Sequence, residues 1–188
     1  MKGTGFWAVG VWFCVVVALC AAPTADYASV QRKFDSIESG RLKPGSRVNL
    51  TAAELNAYVA HEVPAGVRQP RLVLLRPEVA QGNALIDFAE VKRGQGDPPG
   101  WLMTHLLEGE RPVSVTARIH SAAGKATVDV LSVQVSGLTI DGRTLDFLIR
   151  NVLLPMYPNA AVGRPFELGD HIDKIDVQPT GVAVLIGR

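Results

Sequence analysis

Two stretches of alternating residues, joined by a single turn, commit this chain to an antiparallel hairpin. Val113, Val115, Ala117 and Ile119 point one way while Ser114, Thr116, Arg118 and His120 point the other. That period of two places successive side chains on opposite faces of a strand. Residues 122–124 turn the chain onto a second strand over 125–136. There Ala126, Val128 and Val130 alternate, and then Leu131, Val133 and Val135 take over. The one-residue phase slip at Val130–Leu131 predicts a β-bulge or a sharp bend; without one, the strand exchanges its buried face midway.

Helical periodicity brackets this region. Residues 27–38 place Val30, Phe34 and Ile37 on one face, with Gly40 as C-cap and Pro44-Gly45 as a turn. Residues 47–50 are extended. Thr51 and Glu54 have the spacing of a capping box, opening a helix that runs to about residue 62, buries Leu55, Tyr58 and Val59, and stops before Pro64. Strands are expected at 71–76 and 84–92 with a turn at 77–82, and one or two helical turns at 101–107. A third helix over 144–154 carries Leu145, Leu148, Ile149, Val152 and Leu153 as a wide apolar stripe before Pro155. Phe166 and Leu168 sit in a short extended piece, and residues 172–178 and 182–187 form a last hairpin across Pro179-Thr180-Gly181.

The N-terminus reads as a targeting segment. Lys2 precedes 17 uncharged residues, 6–22, a basic n-region and an apolar h-region. Small residues in Ala18-Leu19-Cys20 and Leu19-Cys20-Ala21 offer cleavage sites, whereas Pro23 discourages a cut after Ala22. Leu19 before Cys20 and Phe13 before Cys14 argue against lipidation. The rival reading is an uncleaved anchor, since 17 residues at ~1.5 Å rise nearly span the ~30 Å hydrocarbon core. Either way the remainder is exported, to the periplasm or the outer face of the cytoplasmic membrane. The expected division is 1–22 signal or anchor, 23–46 helix and linker, and 47–188 a single α+β domain.

Several kinds of chemistry are argued against. The net charge of +1, from 19 Lys+Arg and 18 Asp+Glu, is too small for a general nucleic-acid binder. Hydrophobic residues at 47% argue against disorder over most of the length. Both cysteines, Cys14 and Cys20, lie in the leader, so a cleaved chain has no disulfide or thiolate site. His61, His105, His120 and His171 show no metal-ligand spacing. Asp170, His171, Asp173 and Asp176 form the densest titratable cluster, a candidate metal or acid–base site and more simply a solvated strand face. Gly94-Gln95-Gly96 begins like a dinucleotide loop, but Pro98-Pro99 stands where the helix must open. No nucleophile elbow or Walker lysine is present. Asn49-Leu50-Thr51 is a glycosylation sequon, meaningful only in a eukaryotic host. The expectation is a protein that is not an enzyme and carries no cofactor or metal.

What remains is apolar surplus on the strands and the third helix. It fills a dry core, or it lines a space between sheet and helix that admits an acyl chain. Dry core and lipid tunnel draw on the same residues, so periodicity alone leaves both open. The order of elements, "VNLTAAELNAYVA" (residues 48–60), "VDVLSVQVSGLTIDG" (128–142) and "RPFELGDHIDKIDVQPTGVAVLIGR" (164–188), resembles exported bacterial proteins of the LmeA-like and YpmS-like kind, related to the tubular lipid-binding (TULIP) fold. It departs from them in lacking a proline in residues 137–142. The resemblance implies an α+β fold: a long curved antiparallel β-sheet wrapped around one long amphipathic helix, with additional N-terminal helices after a signal peptide. It further implies phospholipid or another acyl-chain lipid as ligand and no catalytic residues. Candidate groove residues are Val115, Ile119, Val133, Phe147, Leu148 and Val152. The alternative is a membrane-tethered scaffold or assembly module with a dry core and a protein partner. A hydrolase built on residues 170–176 ranks below both.

Overall fold

The structure is a computed structural model and describes residues 24–94, 109–150 and 162–187. The expected signal or anchor segment, the helical turns expected at 101–107, and Val152 lie outside the described residues. In chain order the elements are α1 (Ala25–Glu38), β1 (Arg47–Thr51), α2 (Ala52–His61), β2 (Val67–Arg76), β3 (Val79–Asp87), α3 (Phe88–Gly94), β4 (Glu110–Ala122), β5 (Lys125–Val135), β6 (Leu138–Asp141), α4 (Gly142–Leu148), β7 (Phe166–Glu167), β8 (Ile172–Gln178) and β9 (Gly181–Ile186). The fold is α+β and its sheets are antiparallel. A six-stranded sheet runs β2-β3-β4-β5-β6 with β7 added to β5, and a three-stranded sheet runs β1-β9-β8. No described helix is long and apolar enough to cross a membrane.

The β4–β5 hairpin closes at Ala123-Gly124, both at positive φ (50° and 74°), the type I′ geometry that matches strand twist. The expected bulge is present. Thr116 faces Ser132 and Ala117 faces Val130, so Leu131 is the extra residue. Val128 and Val130 therefore share a face with Val133 and Val135, and the apolar side of β5 continues across the slip.

The neighbouring hairpin differs from the sequence expectation. The turn is two residues, Pro77 and Glu78, and not 77–82. Proline fixes the first φ near −65°, and Glu78 takes a positive φ of 62° to complete the reversal. β3 thus starts at Val79 and carries Gly82 in its middle. It ends at Asp87, whose Oδ1 accepts the N–H groups of Ala89 and Glu90, both at 3.0 Å. That carboxylate opens α3 where the sequence suggested continued strand. β6 was not foreseen; Ser136 and Gly137 at φ 51° and 84° turn β5 into it.

Two apolar clusters hold the layers together. Tyr27, Val30 and Ile37 of α1 pack on Leu50, Val184 and Ile186 of the three-stranded sheet. Leu74 and Ala80 of the larger sheet pack on Val177 of β8. Leu55 of α2 and Val182 of β9 reach both clusters. A polar seam ties β8 to the larger sheet. The Ser121 hydroxyl, 2% exposed as a residue, donates to the Ile175 carbonyl at 2.7 Å and accepts the Ile175 N–H at 2.8 Å. Glu78 N–H donates to the Val177 carbonyl, and its own carbonyl accepts from Ile119.

Candidate lipid-binding site

The inner face of the larger sheet is set by register. Leu72 of β2 lies opposite Gly82 of β3, which lies opposite Val115 of β4, which lies opposite Val133 of β5. One rung further from the three-stranded sheet, Ala84 faces Val113 and Val113 faces Val135. Alternation turns the polar residues of these strands to the other side, where Asn83 Oδ1 accepts from Ser114 Oγ at 2.7 Å and from Gln81 Nε2 at 3.1 Å.

Over this face α2 leaves a cleft of about 240 Å³. Val59 of α2 forms one wall, and Leu72, Ala84, Ile86, Val113 and Val115 form much of the rest. Gly82 also lines it, and a Cβ built there would meet nothing within 4 Å. A glycine inside a regular strand costs conformational entropy and gives up packing, and such positions mark close approach of another group. Here the missing side chain opens the cleft.

α2 is held over the sheet by two polar fixtures. Asn56 binds the edge of β2 like a neighbouring strand: Nδ2 donates to the Leu72 carbonyl at 2.9 Å, and Oδ1 accepts the Leu72 N–H at 2.8 Å. At the start of the helix the expected capping box is formed, Glu54 N–H to Thr51 Oγ1 at 3.1 Å and Thr51 N–H to Glu54 Oε2 at 2.8 Å. Glu54 is buried and also receives Ser29 Oγ and Lys33 Nζ, each at 2.6 Å. Burial pushes its carboxyl up, but the bonds from Lys33, Ser29 and Thr51 outweigh it and hold it down at about 2. Tyr27 donates to Glu62 Oε1 at 2.8 Å and stacks on the His61 ring. Burial and the Glu62 carboxylate raise the Tyr27 hydroxyl, while the bonds from Tyr27 and His61 lower Glu62. These groups fasten α1 to α2 and are spoken for within the fold.

The six groove candidates are distributed unevenly. Val115 lines the cleft, and Val133 is its cross-strand partner. Ile119 packs against the cluster of Leu74, Ala80 and Val177. Phe147 lies on α4 and is 61% exposed. Leu148 ends that helix, its side chain outside the described residues, as is Val152. Val59, Leu72, Gly82 and Ala84 were not among the groove candidates read from sequence. The available signal was Gly82, an isolated glycine beside an alternating run, which the turn assignment absorbed. Residues 170 and 171 form a turn at positive φ, and Asp176 faces Arg47 at 3.6 Å. Among the described residues no three His, Asp or Glu side chains gather closely enough to hold a metal.

Comparison with protein-family models, with curated proteins and with solved structures finds no match to this chain.

Proposed function

We propose that this chain is a non-enzymatic, exported protein of the cell envelope that binds an acyl-chain lipid, phospholipid included, on the inner face of its larger sheet. The observation that carries the reading is the apolar cleft opened by Gly82. A cleft of this kind recognises hydrocarbon by burial alone. At ~0.8 kcal/mol per methylene, a run of about eight contributes roughly 6 kcal/mol before the chain's ordering cost. The same proposal includes a sheet curved around an amphipathic helix, with Val133 beside Val115 on the ligand side.

Gly82 supplies the test, because it occupies ordinary strand backbone with open space before it. Gly82→Phe should fill the cleft while keeping the circular dichroism spectrum and the melting temperature. With a fluorescent fatty acid, the wild-type protein should bind saturably near one per chain, and the variant at least tenfold more weakly. Equal binding by a folded variant would contradict the location. No binding by the wild type would favour the scaffold with a dry core.

A further inference from the structure

The two ends of the cleft are unlike. Towards the three-stranded sheet, the rung beyond Gly82 and Val115 is formed by Leu74, Ala80 and Ala117. Leu74 and Ala80 are packed there against Val177, with Leu55 and Ile119 around them, so that end is shut. In the other direction the ladder continues past Ala84 and Val113 to Val67, Ile86 and Arg111. Directly opposed residues of an antiparallel pair share a face, their Cβ atoms about 5 Å apart. Ile86, opposite Arg111, lines the cleft, as does Val113 two residues along β4. The pairing of β3 with β4 runs through this region without a register shift. Arg111 therefore stands on the cleft face at its far end, half-buried between the exposed Glu110 and Pro112.

Charge on this face is confined to Arg111. The three rungs of the cleft floor are otherwise apolar, from Leu72 and Gly82 to Val67 and Ile86. The nearest carboxylates in register, Asp87 and Glu110, oppose each other on the other face. Both are engaged, Glu110 with Arg68 at 2.8 Å and Asp87 with the first turn of α3. Arg71 also leaves on that other face, opposite Asn83. Arg111 makes no ion pair among the described residues. Its planar fork matches the two oxygens of one carboxylate, and Val67 and Ile86 beside it bring no side-chain donor for the further oxygen of a phosphate. The cleft, at about 240 Å³, is smaller than the ~300–1,000 Å³ of pockets that enclose whole small molecules, a size that suits one hydrocarbon chain better than two.

We infer that the ligand is a single-chain fatty carboxylate held in one direction, its carboxylate at Arg111 and its methyl end against Leu74 and Ala80. This rests on the acyl-chain reading of the cleft.

The experiment titrates the full chain with dodecanoate, 1-dodecanol and dodecyl phosphate at about pH 8, where the carboxylate is ionised. Wild type should bind dodecanoate about ten- to a hundredfold more tightly than dodecanol, the range for a hydrogen bond to a charged group. Arg111→Gln should bind the two alike, whereas Arg71→Gln, altered on the other face, should keep the wild-type preference. A fatty acid spin-labelled near its carboxyl should broaden the NMR signal of the Ile86 amide, and one labelled near its methyl end that of Ala80. Equal binding of dodecanoate and dodecanol by wild type, a preference that survives in Arg111→Gln or is lost equally in Arg71→Gln, or the reversed broadening pattern overturns the inference and leaves the acyl-chain reading intact. Dodecyl phosphate binding tenfold more tightly than dodecanoate overturns it in favour of a phosphate head. If none of the three ligands binds the wild type, the acyl-chain reading itself fails and takes this inference with it.

Discussion

Glu54 shows how one side chain serves two purposes in this protein. It closes the capping box of α2 and, through Lys33 and Ser29, pins α1 against the same helix end. Lys33 also donates to the Asn49 carbonyl at 2.7 Å, so β1 is tied into the same network. A carboxyl held from its ordinary value of 4.5 down to about 2 contributes on the order of 3 kcal/mol to folding. Because the folded value is the lower one, that contribution is complete above the unfolded carboxyl's range and is lost as pH falls from 4.5 towards 2. Urea denaturation of wild type and Glu54→Gln should differ by a constant amount at neutral pH, and the gap should narrow over that acidic window. A gap independent of pH would contradict the network. Arg71 is the contrasting residue, exposed and without an ion pair among the described residues; in the same urea experiment its replacement by Gln should leave stability within about 0.5 kcal/mol.

At the scale of elements, the junction between the two sheets depends on β8. Its Ile175 N–H and carbonyl both bond to the buried Ser121 hydroxyl. Ser121→Ala leaves both backbone groups without that partner, at a cost of about 2 kcal/mol. Hydrogen exchange should show the Ile175 amide losing protection while amides in the middle of β4 keep theirs. Retained protection at Ile175 would mean that the seam is held by apolar packing. The β4–β5 hairpin, its bulge and the capping box were legible because each leaves a local mark: a phase slip in β5, or a Thr-x-x-Glu before an apolar run. β3 was misread because Gly82 looked like the end of a turn, when its role is to leave a side chain out. β6 escaped because four residues, with Leu138 69% exposed, carry too little alternation to register. Strand partners leave no local mark either. β1 pairs with β9 at the far end of the chain, and no periodicity in one strand names the other. The same blindness hid the cleft, since Val59 read as ordinary core, and Leu72 as one residue of a strand, until α2 was placed over the sheet.

The whole molecule combines a well-anchored half with a more open one. The three-stranded sheet buries its apolar face under α1, and the larger sheet shares Leu74, Ala80 and Val177 with it. Further along the larger sheet, Val115 faces a cleft in place of a neighbouring layer. A dry-core scaffold has no evident use for a mid-strand glycine at that point, whereas a hydrocarbon ligand does. Native mass spectrometry of the gently purified full chain, beside Gly82→Phe, tests this most directly. A discrete lipid-mass adduct on the wild type that organic solvent extracts, absent from the folded variant, is the expected result. A clean apo mass for wild-type protein shown to be folded would contradict a lipid site and leave the apolar face as core.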